Sequence, residues 1–173
     1  YDYFFFPDDD IQMDTAAINA LFEAMRRYRL QIAQPVLSMS YYTWRHTLQD
    51  RYCKLRYINF VEMMVSCFSR EALNKVLFTF NENETGWGTE THWPVLIDAS
   101  QRDMAVIDEV SVVHTRPIQS GQAIHNRELA AYLRKYNLST KVLHYDCLPS
   151  ESVYCCDRNT FRELCKTLGY WIG

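Results

Sequence analysis

The sequence predicts an α/β layer structure, and three observations carry that prediction. Apolar stretches of strand character alternate along the chain with stretches whose apolar residues recur at helical spacing. Polar turns rich in Asp, Asn or Gly separate them. Hydrophobic content of 48% beside charged content of 23% is that of an ordinary globular chain, which argues against disorder and against a fibrous repeat. At 173 residues, one domain spanning residues 1–173 is expected.

Each element follows from its residues. "YDYFFF" (1–6) reads as a buried strand, and Asp14 or Thr15 caps a helix whose Ile18, Leu21, Phe22 and Met25 fall on one face. "LQIAQPVLS" (30–38) reads as a short strand that Pro35 stops. "SYYTWRHTLQDRYCKLRY" (40–57) is polar and aromatic without clean periodicity, so it reads as a long loop with room for short strands. In 58–82 an apolar strand yields at Ser69 to a helix presenting Leu73, Val76, Leu77 and Phe80 on one side. Residues 81–98 read as a glycine-containing loop and a short helix, and 105–118 as a strand ending near His114. Two further helices are expected, about 125–136 and 160–168, the second with a capping box from Thr160 to Glu163 and a stop at Gly169.

Charge and composition exclude some classes of function. A net charge of −3 supplies no basic field for a polyanion, so nucleic acid is not an expected partner. No apolar run reaches the roughly 18–20 residues of a membrane span, and no segment has the order of a signal peptide. The chain opens at Tyr1, without methionine and already inside an apolar strand, so a fragment lacking its earlier strands is the expectation. Six cysteines form no C-x-x-C pair, which suggests free thiols and a cytoplasmic location. A zinc site built from His144, Cys147, Cys155 and Cys156 fits no common ligand spacing, and ordinary buried thiols are preferred.

Three stretches can carry chemistry. In "PDDDI", Asp8 and Asp10 alternate at a strand end and can converge on one point, with Asp9 between them. Such hard oxygen donors suit Mn²⁺ or Mg²⁺, which grips phosphate oxygens; the plainer alternative is a solvated turn that caps the next helix. In "ETGWGTETHW" (84–93), the glycines let backbone approach a ligand, Trp87 can stack on a sugar face beside Gly88 and His92, and Glu90 can take a proton from an attacking hydroxyl. The plainer alternative there is a turn with a buried Trp and a capping Glu. In "SVVHTRPI" (111–118), His114 can complete a cation's coordination and Arg116 can pair with phosphate, unless the imidazole is simply structural. Glu62, inside an apolar stretch, either orients a sugar hydroxyl or balances a cation such as Arg116.

Five of these stretches resemble one known family. "YFFFPDDDI", "LQIAQPVLS", "INFVEMMVSCFSR", "TGWGTETHW" and "AVIDEVSVVHTRPI" occur in the order and approximate spacing of a plant and bacterial family of unknown function. Its plant members are labelled lysine-ketoglutarate-reductase trans-splicing-related proteins. The resemblance covers about residues 1–120, and the family in turn looks like glycosyltransferases of the GT-A type. What the resemblance implies is a mixed sheet flanked by helices, lacking its N-terminal strands, in which this chain is the metal and acceptor portion. It implies a nucleotide-sugar donor, a carbohydrate or other hydroxyl acceptor, and Mn²⁺ or Mg²⁺. Asp8 and Asp10 become metal or ribose contacts, His114 a third ligand, and Glu90 the base. The acceptor-side pattern usually carries two acids after its glycines, whereas here Thr91 and His92 follow Glu90. A carbohydrate-binding or scaffolding protein of the same fold without turnover is the rival reading. A nucleotidyltransferase would share the acidic site, but no Gly-rich P-loop pattern is present.

Overall fold

Strand β6, Met104–His114, is the longest of the described strands and the axis of the sheet. The computed structural model describes residues 1–38, 44–117 and 122–151. Around β6 the strands β1 (Tyr3–Pro7), β3 (Ile32–Leu37), β4 (Cys53–Ile58), β5 (Val65–Ser69) and β7 (His144–Pro149) take the order β1-β5-β3-β6-β4-β7. A two-residue strand, β2 (Ile11–Gln12), pairs with the end of β6, so the sheet has seven strands. Among the described strands β3 and β6 pair in parallel and the other strand pairings are antiparallel, so the sheet is mixed and open. Since β5 runs against both β1 and β3, the strands β1, β3 and β6 point the same way and end at one edge.

Helices cover both faces, which is why β3 is buried at every position. Helix α1 (Thr15–Tyr28) sets Leu21, Ala24 and Met25 against Ala33, Leu55, Tyr57 and Ala105. The opposite face, reached by the alternate residues Ile32, Phe68 and Met104, packs against Ala72, Leu73 and Val76 of α2 (Arg70–Val76) and Trp93 of α3 (Trp93–Leu96). Of the two candidate caps for α1, Asp14 is the one that accepts from the Ala17 amide. Ser69 caps α2 by accepting from Ala72.

Several expectations are corrected. The first strand is not buried: β1 is an edge strand, half-buried at Tyr3 to Phe5 and exposed at Phe6 and Pro7. Pro35 does not stop β3, which runs on to Leu37. The proline sits where the β3–β6 register slips, between Pro35↔Ile107 and Val36↔Ser111, and an irregularity of this kind tolerates a missing amide proton. The stretch 40–57, expected as a long loop with room for short strands, holds most of one, β4, whose Leu55, Tyr57 and Ile58 are core residues. Leu77, expected on the packed side of the second helix, is 54% exposed, because α2 ends at Val76 and tightens into a 3₁₀ turn over Leu77–Asn81. Strand β7 was not foreseen. The expected helix at 125–136 is α4 (Gln122–Tyr136), while the one at 160–168 lies outside the described residues, as do Cys155 and Cys156.

Three β6 residues, Asp108 to Val110, are the extra ones in that register slip. The Asp108 carboxylate there accepts from Arg56 Nε and Nη2, both at 2.8 Å, and from the Asp50 amide at 2.7 Å. Arg56 also donates to the carbonyls of His46 and Leu48, which ties the segment before β4 to the sheet. Among the described residues, no helix is long and apolar enough to cross a membrane.

Candidate functional site

The acidic turn leaves β1 at the edge where β1, β3 and β6 end. The Asp8 amide donates to the Met64 carbonyl at 2.9 Å, and Ile11 N–H donates back to Asp8 at 3.2 Å, so the turn is tight. Strand β2 then lays Ile11 opposite His114. That pairing brings residues about a hundred positions apart into contact. His114 Nε2 lies 3.2 Å from Asp10 Oδ2, and Thr115 donates to the Asp10 carbonyl through both its amide and its hydroxyl, each at 2.9 Å. Arg116 Nη2 donates to Asp9 Oδ2 at 2.9 Å.

Burial divides this cluster by role. The His114 side chain is 8% exposed and that of Asp10 19%, whereas Arg116 and Asp9 are 47% and 86% exposed. An exposed pair of that kind is worth little in stability, so the guanidinium is free to exchange Asp9 for another anion. Asp8 is exposed by surface area, yet partial loss of solvent together with the neighbouring Asp10 and Asp9 charges raises its pKa, with His114 opposing. Asp8 therefore feels the charges around it.

The carboxylate and imidazole donors of the cluster are of the types that a small divalent cation takes. Two ligands at adjacent corners of an octahedron, each about 2.1 Å from a hard cation, stand about 3 Å apart, close to the Asp10–His114 separation. Among the described residues, no group of three or more His, Cys, Asp or Glu side chains is arranged to hold a metal ion. Cations that serve phosphate chemistry are commonly held by one or two protein carboxylates, with substrate phosphates and water supplying the rest.

The second candidate stretch sits beside the same edge. Gly86 and Gly88 take φ of +74° and +95°, which explains the choice of glycine at both. Gly86 packs on Met63: a Cβ there would lie 2.3 Å from Met63 Sδ. Glu90, at the 3₁₀ turn Thr89–Thr91, accepts from the Gly88 amide at 3.0 Å. Burial, with the Glu62 charge adding to it, pushes the Glu90 carboxyl up to about 7. Glu62 is itself buried; its carboxylate accepts from the Thr47 hydroxyl, and its amide donates to Gln34 Oε1 at 2.5 Å. Residues 62–64 thus touch both clusters, through Met64 to Asp8 and Met63 to Gly86, while the Glu62 charge acts on Glu90.

Not every candidate faces this edge as an open group. Trp87 stacks on His125 of α4 with ring centroids 4.7 Å apart. His92 is 7% exposed, with Nδ1 3.1 Å from the Tyr132 hydroxyl and its ring 4.4 Å from that of Tyr136. Glu62 does not pair with Arg116, which is bonded to Asp9. Sequence reasoning missed Thr47, Gln34, Met63 and His125. Only the buried Glu62, which needs a donor, signalled that a residue such as Thr47 had to exist. Compared with protein-family models, curated proteins and solved structures, the chain matches none of them.

Proposed function

We propose that the chain is the metal and acceptor portion of a glycosyltransferase with a GT-A-like fold, taking a nucleotide-sugar donor and a carbohydrate or other hydroxyl acceptor. The observation that carries the reading is the Asp10–His114 contact, formed where three co-directional strands end. Ligands in open α/β sheets bind beyond such strand ends. Asp8, Asp10 and His114 would hold Mn²⁺ or Mg²⁺. The cation's contribution when bound is to neutralise the charge of a departing nucleoside diphosphate.

The chain's own residues supply the remaining steps. Arg116 exchanges its exposed partner Asp9 for a phosphate oxygen. Glu90, poised near neutrality, accepts the proton of the acceptor hydroxyl as that oxygen bonds to the sugar carbon and the bond to diphosphate breaks. Gly88 holds the Glu90 carboxylate in place through its amide. Glu62, fixed by Thr47, keeps Glu90 from ionising too readily. Trp87 on its His125 support offers an aromatic face for a sugar, with Gly88 and His92 shaping the loop beneath it.

Isothermal titration of Mn²⁺ with a panel of nucleoside diphosphates on the full-length protein tests this. Metal-dependent binding of at least one nucleotide is expected, and its absence across the panel would overturn the assignment. Asp10→Ala separates the rival reading: an enzyme loses sugar transfer or donor hydrolysis, whereas a carbohydrate-binding module keeps its glycan affinity unchanged.

A further inference from the structure

Cys53 and Cys147 stand on neighbouring strands, β4 and β7, with sulfurs 2.6 Å apart. The register explains the approach. An unbroken ladder from Leu55↔Leu148 would set Cys53 opposite Ser150; a slip between Cys53 and Leu55 sets it opposite Pro149, one residue nearer Cys147. Cys147 thereby becomes the diagonal neighbour of Cys53 on one face of the sheet. Cys53 is buried and Cys147 half-buried. The strand end is anchored here independently: Ser150 N–H donates to the Tyr52 carbonyl at 2.8 Å, Ser150 Oγ to the Arg51 carbonyl at 3.0 Å, and Lys54 pairs with Glu151 at 2.8 Å.

We propose that Cys53 and Cys147 form a redox-active dithiol that closes to a disulfide by exchange with a small-molecule disulfide, clipping the outermost strand β7 to β4. The half-buried Cys147 is the sulfur an external disulfide reaches. Cys53 lies buried beneath it, out of reach of the external disulfide, and acts second. Cys147 thiolate attacks one sulfur of the external disulfide and releases one thiol. Cys53 then loses its proton, attacks the Cys147 sulfur and releases the second. The protein gives up two electrons and two protons, and the external disulfide takes up both as two thiols.

The bridge closes a loop of about ninety residues of chain, a length at which cross-linking strongly restricts the unfolded state. The composition, with no C-x-x-C pair, points instead to free thiols. The two expectations therefore diverge at one measurable bond.

The test incubates the full chain with oxidised glutathione, alkylates the remaining thiols and maps a non-reducing digest by mass spectrometry. The expected result is a Cys53 peptide joined to a Cys147 peptide, and a melting temperature about 5–10 °C above that of the dithiothreitol-treated chain. Cys147→Ser abolishes both the joined peptide and the difference in melting temperature; Cys53→Ser traps glutathione on Cys147, and either variant suffices if the other fails to fold. Complete alkylation of both residues, a Cys147 bond to Cys155, Cys156 or Cys165 instead, or a Cys53–Cys147 bond without a change in melting temperature would overturn the proposal.

Discussion

Glu90→Gln tests the electrostatics of the second cluster. In the folded chain burial raises the Glu90 carboxyl from 4.5 to about 7. Between those values the folded chain keeps a proton that the unfolded chain has released, so the group's contribution to stability is intact below about pH 4.5 and is lost as pH rises to 7. At about 1.4 kcal/mol per pH unit the full effect is about 3 kcal/mol. Glu90 is only partly shielded from water, and solvent screening reduces the expectation to about 2 kcal/mol. Gln has no charge to bury and still accepts from the Gly88 amide. Urea denaturation of both proteins at pH 4.5 and 8 is the assay: relative to the parent, the variant gains about 2 kcal/mol across that interval, a melting shift of about 4–8 °C. Parallel pH curves for the two proteins would refute the reasoning. If Glu90 is also the base, the variant loses about 10²–10⁴-fold in transfer rate despite being more stable at neutral pH.

The other predictions concern separate parts of the molecule. His114→Ala weakens Mn²⁺-dependent nucleotide binding at least tenfold by calorimetry while leaving glycan binding unchanged, and equal loss of both would show a folding defect instead. Arg56→Leu strands the buried Asp108 carboxylate and costs about 3–5 kcal/mol in urea denaturation; adding Asp108→Asn recovers part of it. Gly86→Ala forces a left-handed backbone on a residue with a Cβ and costs about 1–2 kcal/mol beyond its clash with Met63. In a Met63→Ala background only that backbone cost remains, which a double-mutant cycle measures.

Local signals were legible where the chain's own chemistry decides the outcome. The Asp14 and Ser69 caps, the glycines of the tryptophan loop and the end of β6 at His114 all follow from neighbours in sequence. Pro35 misled because its effect depends on what lies opposite, and a register slip with β6 removes the conflict. β4 was obscured because Arg56 sits in its middle, a charge that only the distant Asp108 makes tolerable. In the site, the acids and the imidazole could be picked out by type, but β2, two residues long, is too short to show periodicity, and it is what brings them together. The packing of His92 and Trp87 on α4 was equally hidden, since Tyr132 and His125 lie 40 and 38 positions downstream.

Met63 and Met64 tether the two halves of the candidate site. One residue holds the aspartate turn through its carbonyl and the next packs its thioether under the tryptophan loop, so a shift of this short segment reaches both at once. A substitution at Met63 is therefore felt one peptide unit from Asp8's anchor.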